Sequence, residues 1–430
     1  MSSRGSAGAL PVMPEPASGA GLGATARDSS RRLIRVFMMD LWCYTPHYDR
    51  YLCQALSDID VRATLGSVCP YHDPQYFARN GLRNDPGFLD LVPKLGITND
   101  DVRRALMLVE SSVNMAALGA RFCISKPDIL HVQWVPLIRR LPFEVWFLKF
   151  AKRMHIKLVY TVHNVLPHDT GNRFIPVYKR VYREMDALIC HTHEAKSRLV
   201  REFAVDPERI QVIPHGPLLH DANTRYSVKA LKAKLSLRGN ETLILWHGII
   251  RPYKGLDFLL QAWRKVEARN LNACLLIAGS GEAGLLKSIK EKVEWWGLQE
   301  SVRLDLRFIP DEELATYCQM SDVMVYPYCD VTTSGALMTA LAYRKAIVAT
   351  NLPGFREVLR DRQDAVLVDN GDVEALAIAL SDLIRDPLKR KTLAYGPESR
   401  GDLNSWDIIA RKTRRCYAAL LQDARAEMPF

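Results

Sequence analysis

Two short stretches carry residue types able to grip a phosphate. The first, 246–255 (WHGIIRPYKG), follows the apolar run Leu243, Ile244, Leu245, Trp246 and precedes a helical pattern at Leu256, Leu259, Leu260 and Trp263. It reads as a buried parallel strand ending in a glycine-containing loop that offers Arg251 and Lys254 at the mouth of a strand–loop–helix unit, where open α/β sheets bind ligands. Arginine brings a planar fork of donors and lysine a mobile point charge, a pairing suited to phosphate. The competing reading is a solvated turn with two surface cations. The second stretch, 329–341 (CDVTTSGALMTAL), follows an expected strand at 323–326 and puts Thr332, Thr333, Ser334 and Gly335 at a helix start. Backbone N–H groups and the dipole there favour an anion. Simple N-capping competes, but a cap needs only one hydroxyl. Both stretches lie at carboxyl ends of strands in one expected sheet, so they can converge on one diphosphate without a metal.

A third stretch, HNVLPHD (163–169), ends an expected strand at 157–162 and gathers two histidines, an asparagine and an aspartate. That set suits sugar hydroxyls or a phosphate and matches no common metal-ligand spacing. The elements that must position these loops alternate. Strands are expected at 33–39, 61–68, 127–132, 157–162, 186–190 and 210–213, with helices between them. A long surface segment is expected at 71–100. After a polar link (218–240), a second series falls at 242–246, 273–278, 302–304, 323–326, 346–349 and 365–368. Each run is short and continuously apolar, as strands covered on both faces are. Helices follow at 373–385 and 406–421. The expected fold is α/β, two Rossmann-like doubly wound parallel-sheet domains facing a cleft. Its segments are a disordered tail (1–30), an acceptor-side domain (31–221), a nucleotide-binding domain (222–402) and a closing helix packed back across the cleft (403–430). The loop after the first strand (33–39) carries no GxGxxG dinucleotide fingerprint where an oxidoreductase would need one.

A chain of 430 residues suits two ordinary domains. Mean hydropathy is −0.10 and no apolar run approaches twenty residues, which argues against a membrane span. The nine cysteines form no CxxC pair and read as reduced thiols of a cytoplasmic protein. The tail lacks the apolar core of a signal peptide. Net charge is +10, with 29 Lys/Arg against 22 Asp/Glu in residues 1–225 and 29 against 26 in the rest. The excess gathers in 136–157, where six cations face one glutamate among aromatic residues. That stretch reads either as a helix lying on an anionic membrane face, inside the plasma membrane, or as a core helix burying Phe143, Trp146, Phe147 and Phe150. Nucleic acid is disfavoured, because the aromatic residues fall at helical spacing and the charge is modest.

The second half resembles the C-terminal domain of GT-B glycosyltransferases of retaining family 4 and its relatives. The resemblance rests on strand–HG–RPYKGLDFLLQA (246–262), LLIAGSGE (275–282), VRLDLRFIPDEELATYCQMSDVMVYP (302–327), the TTSGALMTAL helix, AIVATNLPGFREVL (346–359) and VDNGDVEALAIAL (368–380). DILHVQW (128–134), TVHNVLPHD (161–169) and VIPHG (212–216) look like the acceptor-side strands of that fold. The RPYKG, HN-x-x-PHD and TSG-x-L combination is similar to bacterial exopolysaccharide mannosyltransferases of the xanthan type. The resemblance implies a GDP- or UDP-linked sugar held at Gly248, Arg251, Lys254, Gly279, Thr333, Ser334 and Gly335. Backbone of Arg307, Phe308 and Ile309 would meet the base. His163 would approach the reacting sugar and phosphate. Family 4 commonly places two glutamates eight residues apart at the donor site; Val331 and Thr339 stand there instead. The family's arginine five residues before the lysine is also displaced, with Ile249 at that place and Arg251 two residues later.

Transfer of a hexose to a glycan or polyprenyl-linked acceptor, with no metal and no cofactor beyond the donor, is the activity this implies. Arg251 and Lys254 would stabilise charge growing on the departing diphosphate. Under inversion a first-domain group must take the acceptor proton, with Asp169, His168 or Asp40 as candidates. Under retention the departing phosphate itself can accept it. A same-fold sugar-nucleotide epimerase and a catalytically degenerate sugar-nucleotide-binding subunit are the rival readings.

Overall fold

The computed structural model describes residues 33–426 apart from 71–72, 83, 86, 98, 139–141, 168–170, 220–225, 270 and 396–404. The tail read as disordered, 1–30, lies outside these residues, as do His168 and Asp169.

Twelve strands build two parallel sheets. The first holds β1 (Ile34–Asp40), β2 (Val61–Ser67), β3 (Ile129–Val132), β4 (Lys157–Val162), β5 (Ala187–Cys190) and β6 (Ile210–Val212) in the order β2-β1-β3-β4-β5-β6. The second holds β7 (Thr242–His247), β8 (Ala273–Ala278), β9 (Val302–Asp305), β10 (Val323–Tyr326), β11 (Ala346–Thr350) and β12 (Val366–Val368) in the order β12-β11-β10-β7-β8-β9. Side chains alternate across each sheet into separate cores. Phe37 and Met39 enter one, Val36 and Met38 the other. Ile244 and Trp246 likewise part from Leu243 and Leu245. Burial on both faces is why these strands read as unbroken apolar runs. Each order reverses once, between β1 and β3 and between β7 and β10, and such reversals open a crevice beyond the strand ends.

The stretch 71–100 departs from its reading as surface. Tyr76, Phe77 and Val92 are buried, and the buried Asp85 receives Arg121 Nη1 at 2.5 Å and Nη2 at 2.6 Å. Its own N–H donates to the Leu65 carbonyl at 2.7 Å. A partner thirty-six residues away turns a polar segment into a tethered one.

The helix Trp406–Ala426 packs on the first lobe against the helix Pro46–Ser57, adding Trp406, Ile409, Ala410 and Tyr417 to its core. Trp406 stacks on Tyr51 (5.4 Å, 19°) and donates its indole N–H to the Pro217 carbonyl at 2.8 Å. Gly216 lacks a side chain here because a Cβ would come within 2.5 Å of that indole. The helix Phe143–Arg153 divides between its two readings. Val145, Phe147, Leu148 and Ala151 are buried, whereas Phe143 is 37% and Trp146 59% exposed. No helix among the described residues is long and apolar enough to cross a membrane. All nine cysteines are free thiols.

Candidate active site

At the reversal of the second sheet, the loops after β7 and β10 lock together. Gly255 (φ +69°) lies so close to Pro327 that a Cβ would sit 1.7 Å from its carbonyl oxygen, and the Cys329 N–H donates to the Tyr253 carbonyl at 2.7 Å. Gly279, at the mouth of β8 (φ +153°), would place a Cβ 1.9 Å from the Gly248 carbonyl oxygen. Only glycine fits two such approaches, so the three loops form one surface. Lys254 folds back over it. Its Nζ would lie 3.0 Å from a Cβ on Gly248, and it sits 5.9 Å from the Trp246 ring and 5.5 Å from the Tyr328 ring. Among the described residues no carboxylate pairs with it. Burial, and then the nearby Arg251 charge, lower its pKa to about 8. Arg251 is exposed.

Beyond β10 the helix Gly335–Ala342 starts beside this surface. Tyr326 donates its hydroxyl to the Ala336 carbonyl at 2.9 Å and meets His247 Nε2 at 3.1 Å, tying the mouth of β7 to the first turn of that helix. His247 is neutral, burial having pushed it to about 3. Ser334 serves as the N-cap, its hydroxyl accepting from the Leu337 N–H at 3.2 Å. The Thr333 hydroxyl is buried with no hydrogen-bond partner. One hydroxyl therefore caps the helix, and a second is left over. Gly335 makes room for Leu218, whose Cδ1 would be 2.9 Å from a Cβ there. Val331 is buried, and Thr339 returns its hydroxyl to the Gly335 carbonyl at 3.1 Å.

Arg307 spends its guanidinium internally. It pairs with Asp305 (2.9 Å) and Glu313 (2.5 Å) and donates to the Phe308 carbonyl at 3.1 Å. This pins the loop Arg307–Phe308–Ile309, with Phe308 38% exposed and Ile309 buried.

His163, after β4, is buried among rings. It stacks on Trp134 (5.3 Å, 10°) and meets Tyr48 edge-on at 4.8 Å. Its Nε2 lies 2.9 Å from the Gln133 amide oxygen and its Nδ1 3.4 Å from His191 Nε2. His191 donates through Nδ1 to the Ile213 carbonyl at 2.9 Å. His215, after β6, lies 5.1 Å from the His191 ring. Burial holds all three imidazoles neutral, with His191 at about 3, His215 at about 4 and His163 well below its usual value. Asp40 is wholly buried beside Asp49; burial raises it to about 6 and pushes the Asp49 carboxyl well above the usual range.

A cavity of about 220 Å³ joins the lobes. His191, Thr192, His193 and His215 line it from one side and Thr333, Ser334 and Glu357 from the other. Glu357 bridges them, accepting the backbone N–H groups of His193 (2.6 Å) and Glu194 (2.7 Å) at the start of the helix His193–Phe203. His47 Nε2 also reaches Asp311 at 3.4 Å. Among the described residues no cluster of three or more His, Cys, Asp or Glu is placed to hold a metal ion. The Lys254 loop and the loop before the helix Gly335–Ala342 are thus tied together at the ends of β7 and β10, while Thr333 and Ser334, and not Lys254, line the cavity. His191 and His215 line the cavity, and reading the loops separately did not single them out. The signal available was that each ends a parallel strand of the same sheet.

Two six-stranded parallel sheets with flanking helices, meeting at such a cavity, are the GT-B fold of glycosyltransferases. Residues 50–217 match the family described as Glycosyltransferase Family 4, and residues 241–386 that described as Glycosyl transferases group 1. The chain belongs to the group 1, family 4-like glycosyltransferases. It is 27% identical over 288 residues to a D-inositol 3-phosphate glycosyltransferase of Xylanimonas cellulosilytica, covering 62% of this chain and 67% of that protein. The Rhodococcus jostii protein of the same name is 29% identical over 54% of this chain, and the match spans about half of that relative, 52%. Anabaena HepE, solved in complex with UDP-glucose, superposes with a TM-score of 0.70 at 14% identity, over 90% of this chain and 100% of HepE.

Proposed function

We propose that the protein transfers a hexose from a GDP- or UDP-linked donor to a glycan or polyprenyl-linked acceptor in polysaccharide biosynthesis, without a metal. Mannose is the sugar suggested by the xanthan-type motif combination. The observation that carries the reading is Lys254, a half-buried cation with no carboxylate partner among the described residues, on a loop tied to the one that leads to the spare Thr333 hydroxyl. Keeping a desolvated charge uncompensated costs stability unless an anion completes the site. As the bond between sugar and diphosphate breaks, negative charge grows on the leaving group. Lys254, Arg251 and the N–H groups of the helix Gly335–Ala342 then stabilise it more than they stabilise the ground state. The neutral imidazoles of the other lobe suit hydroxyl groups better than phosphate.

Further support for a donor of this kind is that HepE is described with UDP-glucose. Some relatives are named for inositol 3-phosphate, so a polyol phosphate is the acceptor to test against glycans. A membrane-facing role for 136–157, on the cytoplasmic side, is supported by Phe143 and Trp146, which are exposed and line an apolar groove of about 590 Å³. No retention on anionic vesicles in flotation would remove that part.

The primary test is a thermal-shift panel of UDP, GDP and their glucose and mannose conjugates, followed by turnover with each acceptor class. A nucleotide diphosphate should raise the melting temperature, because a ligand of the native state stabilises it. Binding without transfer to any acceptor would favour the degenerate subunit, and turnover of donor with no acceptor would favour an epimerase.

A further inference from the structure

The first lobe has its own crevice where the sheet order reverses, between β1 and β3. Three aromatic rings occupy it. Trp42 and Tyr44 lie in the loop after β1 and Trp134 follows β3. Tyr44 is 50% exposed and both tryptophans are partly so. Tyr44 meets Trp42 at 6.0 Å and Trp134 at 5.4 Å, and Trp134 stacks on His163. From there a 3.4 Å contact leads to His191 in the cavity wall. The rings are therefore contiguous with the cavity.

The loop that carries Trp42 and Tyr44 is rigidly held. Cys43 between them adopts φ +55°, an unusual backbone for a residue with a side chain, and its N–H donates to the Asp40 carbonyl at 3.1 Å. The buried Asp40 carboxylate accepts the Thr45 N–H at 3.0 Å. Strain of that kind persists only where surrounding structure enforces it, and it collects at ligand sites. Both indole N–H groups are already committed, Trp42 to Ser111 at 2.8 Å and Trp134 to Thr45 at 3.2 Å. The ring surfaces, rather than polar tips, are what the crevice offers.

We propose that Trp42, Tyr44 and Trp134 form an acceptor subsite that takes the C–H face of a hexopyranoside. This rests on the transferase reading above and narrows its acceptor to a sugar ring. A pyranose presents C–H bonds on one face and hydroxyls at its rim. Rigid aromatic rings match the face, and the neutral imidazoles beyond them match the rim. A polyol phosphate would need cations, and Trp42, Tyr44 and Trp134 themselves carry none.

The experiment uses the full chain in two arms. In the first, UDP and GDP are scored by thermal shift. In the second, methyl β-D-glucopyranoside, methyl α-D-mannopyranoside and myo-inositol 3-phosphate are titrated, with tryptophan fluorescence and saturation-transfer NMR as readouts. The subsite predicts that a pyranoside changes the fluorescence of the wild-type protein and receives saturation mainly on the hydrogens of one face. Tyr44→Ala should weaken it about three- to tenfold, Tyr44→Phe should restore it, and nucleotide affinity should stay within about twofold of wild type. No pyranoside response in wild type, or an unchanged affinity in Tyr44→Ala, overturns the subsite. So does a response to myo-inositol 3-phosphate alone. Loss of nucleotide binding in the first arm would instead sink the transferase reading, and the pyranoside arm is read independently of it. Should Tyr44→Ala fold poorly, the wild-type saturation pattern decides the matter alone.

Discussion

The two sides of the cavity are built on opposite principles. The β7–β10 side holds a lysine without a counter-ion, an exposed arginine and a spare hydroxyl, on loops closed by glycines that tolerate no side chain. The β1–β6 side holds neutral buried imidazoles bonded to Gln133 and to the Ile213 carbonyl, a buried acid pair, and aromatic rings. One side carries a charge that no carboxylate among the described residues offsets, and the other presents neutral rings. Unmet charge binds strongly and reads little beyond an anion, whereas a preformed neutral surface reads shape. A transferase needs both. The common half of its substrates is the diphosphate, and the variable half is the acceptor.

The hardest way to break this contrast is to remove the charge. Lys254→Ala and Arg251→Ala are each expected to lower turnover about 100-fold, the scale of losing one stabilising donor. Near wild-type rates in both would dissolve the distinction between the sides. The ligand-free protein should respond oppositely. The folded pKa of Lys254 lies below its unfolded value, so its penalty is full below pH 8 and fades as pH rises toward 10.5. Lys254→Met should therefore stabilise the apoprotein at pH 7 by on the order of 1–3 kcal/mol, seen as a higher Tm.

The pH profile sharpens the contrast. Nucleotide affinity should fall by up to about tenfold per unit above pH 8 as Lys254 loses its proton, and Lys254→Arg should flatten that limb. His163, His191 and His215 are neutral at pH 7 and titrate far below it, so no limb from them is expected between pH 5 and 7. Calorimetric titration across pH 5–10 measures both.

Smaller effects follow from single hydrogen bonds. Thr333→Val removes the unpartnered hydroxyl without opening a cavity. Nucleotide affinity should drop about fivefold while Tm holds or rises. Glu357→Gln weakens the cap on the helix His193–Phe203 and should lower Tm by the equivalent of about 1 kcal/mol, with little change in nucleotide affinity. An effect on affinity as large as that of Thr333→Val would show that the lobes' bridge, not the donor mouth, sets binding.

The sheets were legible because β7, β8 and β10 are unbroken apolar runs, a pattern that burial on both faces imposes locally. The loop placement of Arg251, Lys254 and Thr333 was legible for a related reason, since they follow the ends of β7 and β10. What escaped depends on partners distant in sequence. Arg307 stands in the loop expected to meet the base, but Asp305, Glu313 and Lys234 form the ion network that absorbs its side chain. Asp85 needed Arg121, and the cavity wall needed His191 and His215 brought beside Thr333. No periodicity records such pairings.

The closing helix has a consequence for how the molecule is made. Trp406 and Tyr417 fill the interior beside Tyr48, Tyr51 and His131, so the first lobe is finished by a segment that follows the whole second sheet in the chain. On the ribosome, that lobe waits with an open flank until residues 406–426 have emerged. Anyone grafting the acceptor half onto another enzyme must carry residues 406–426 along with it.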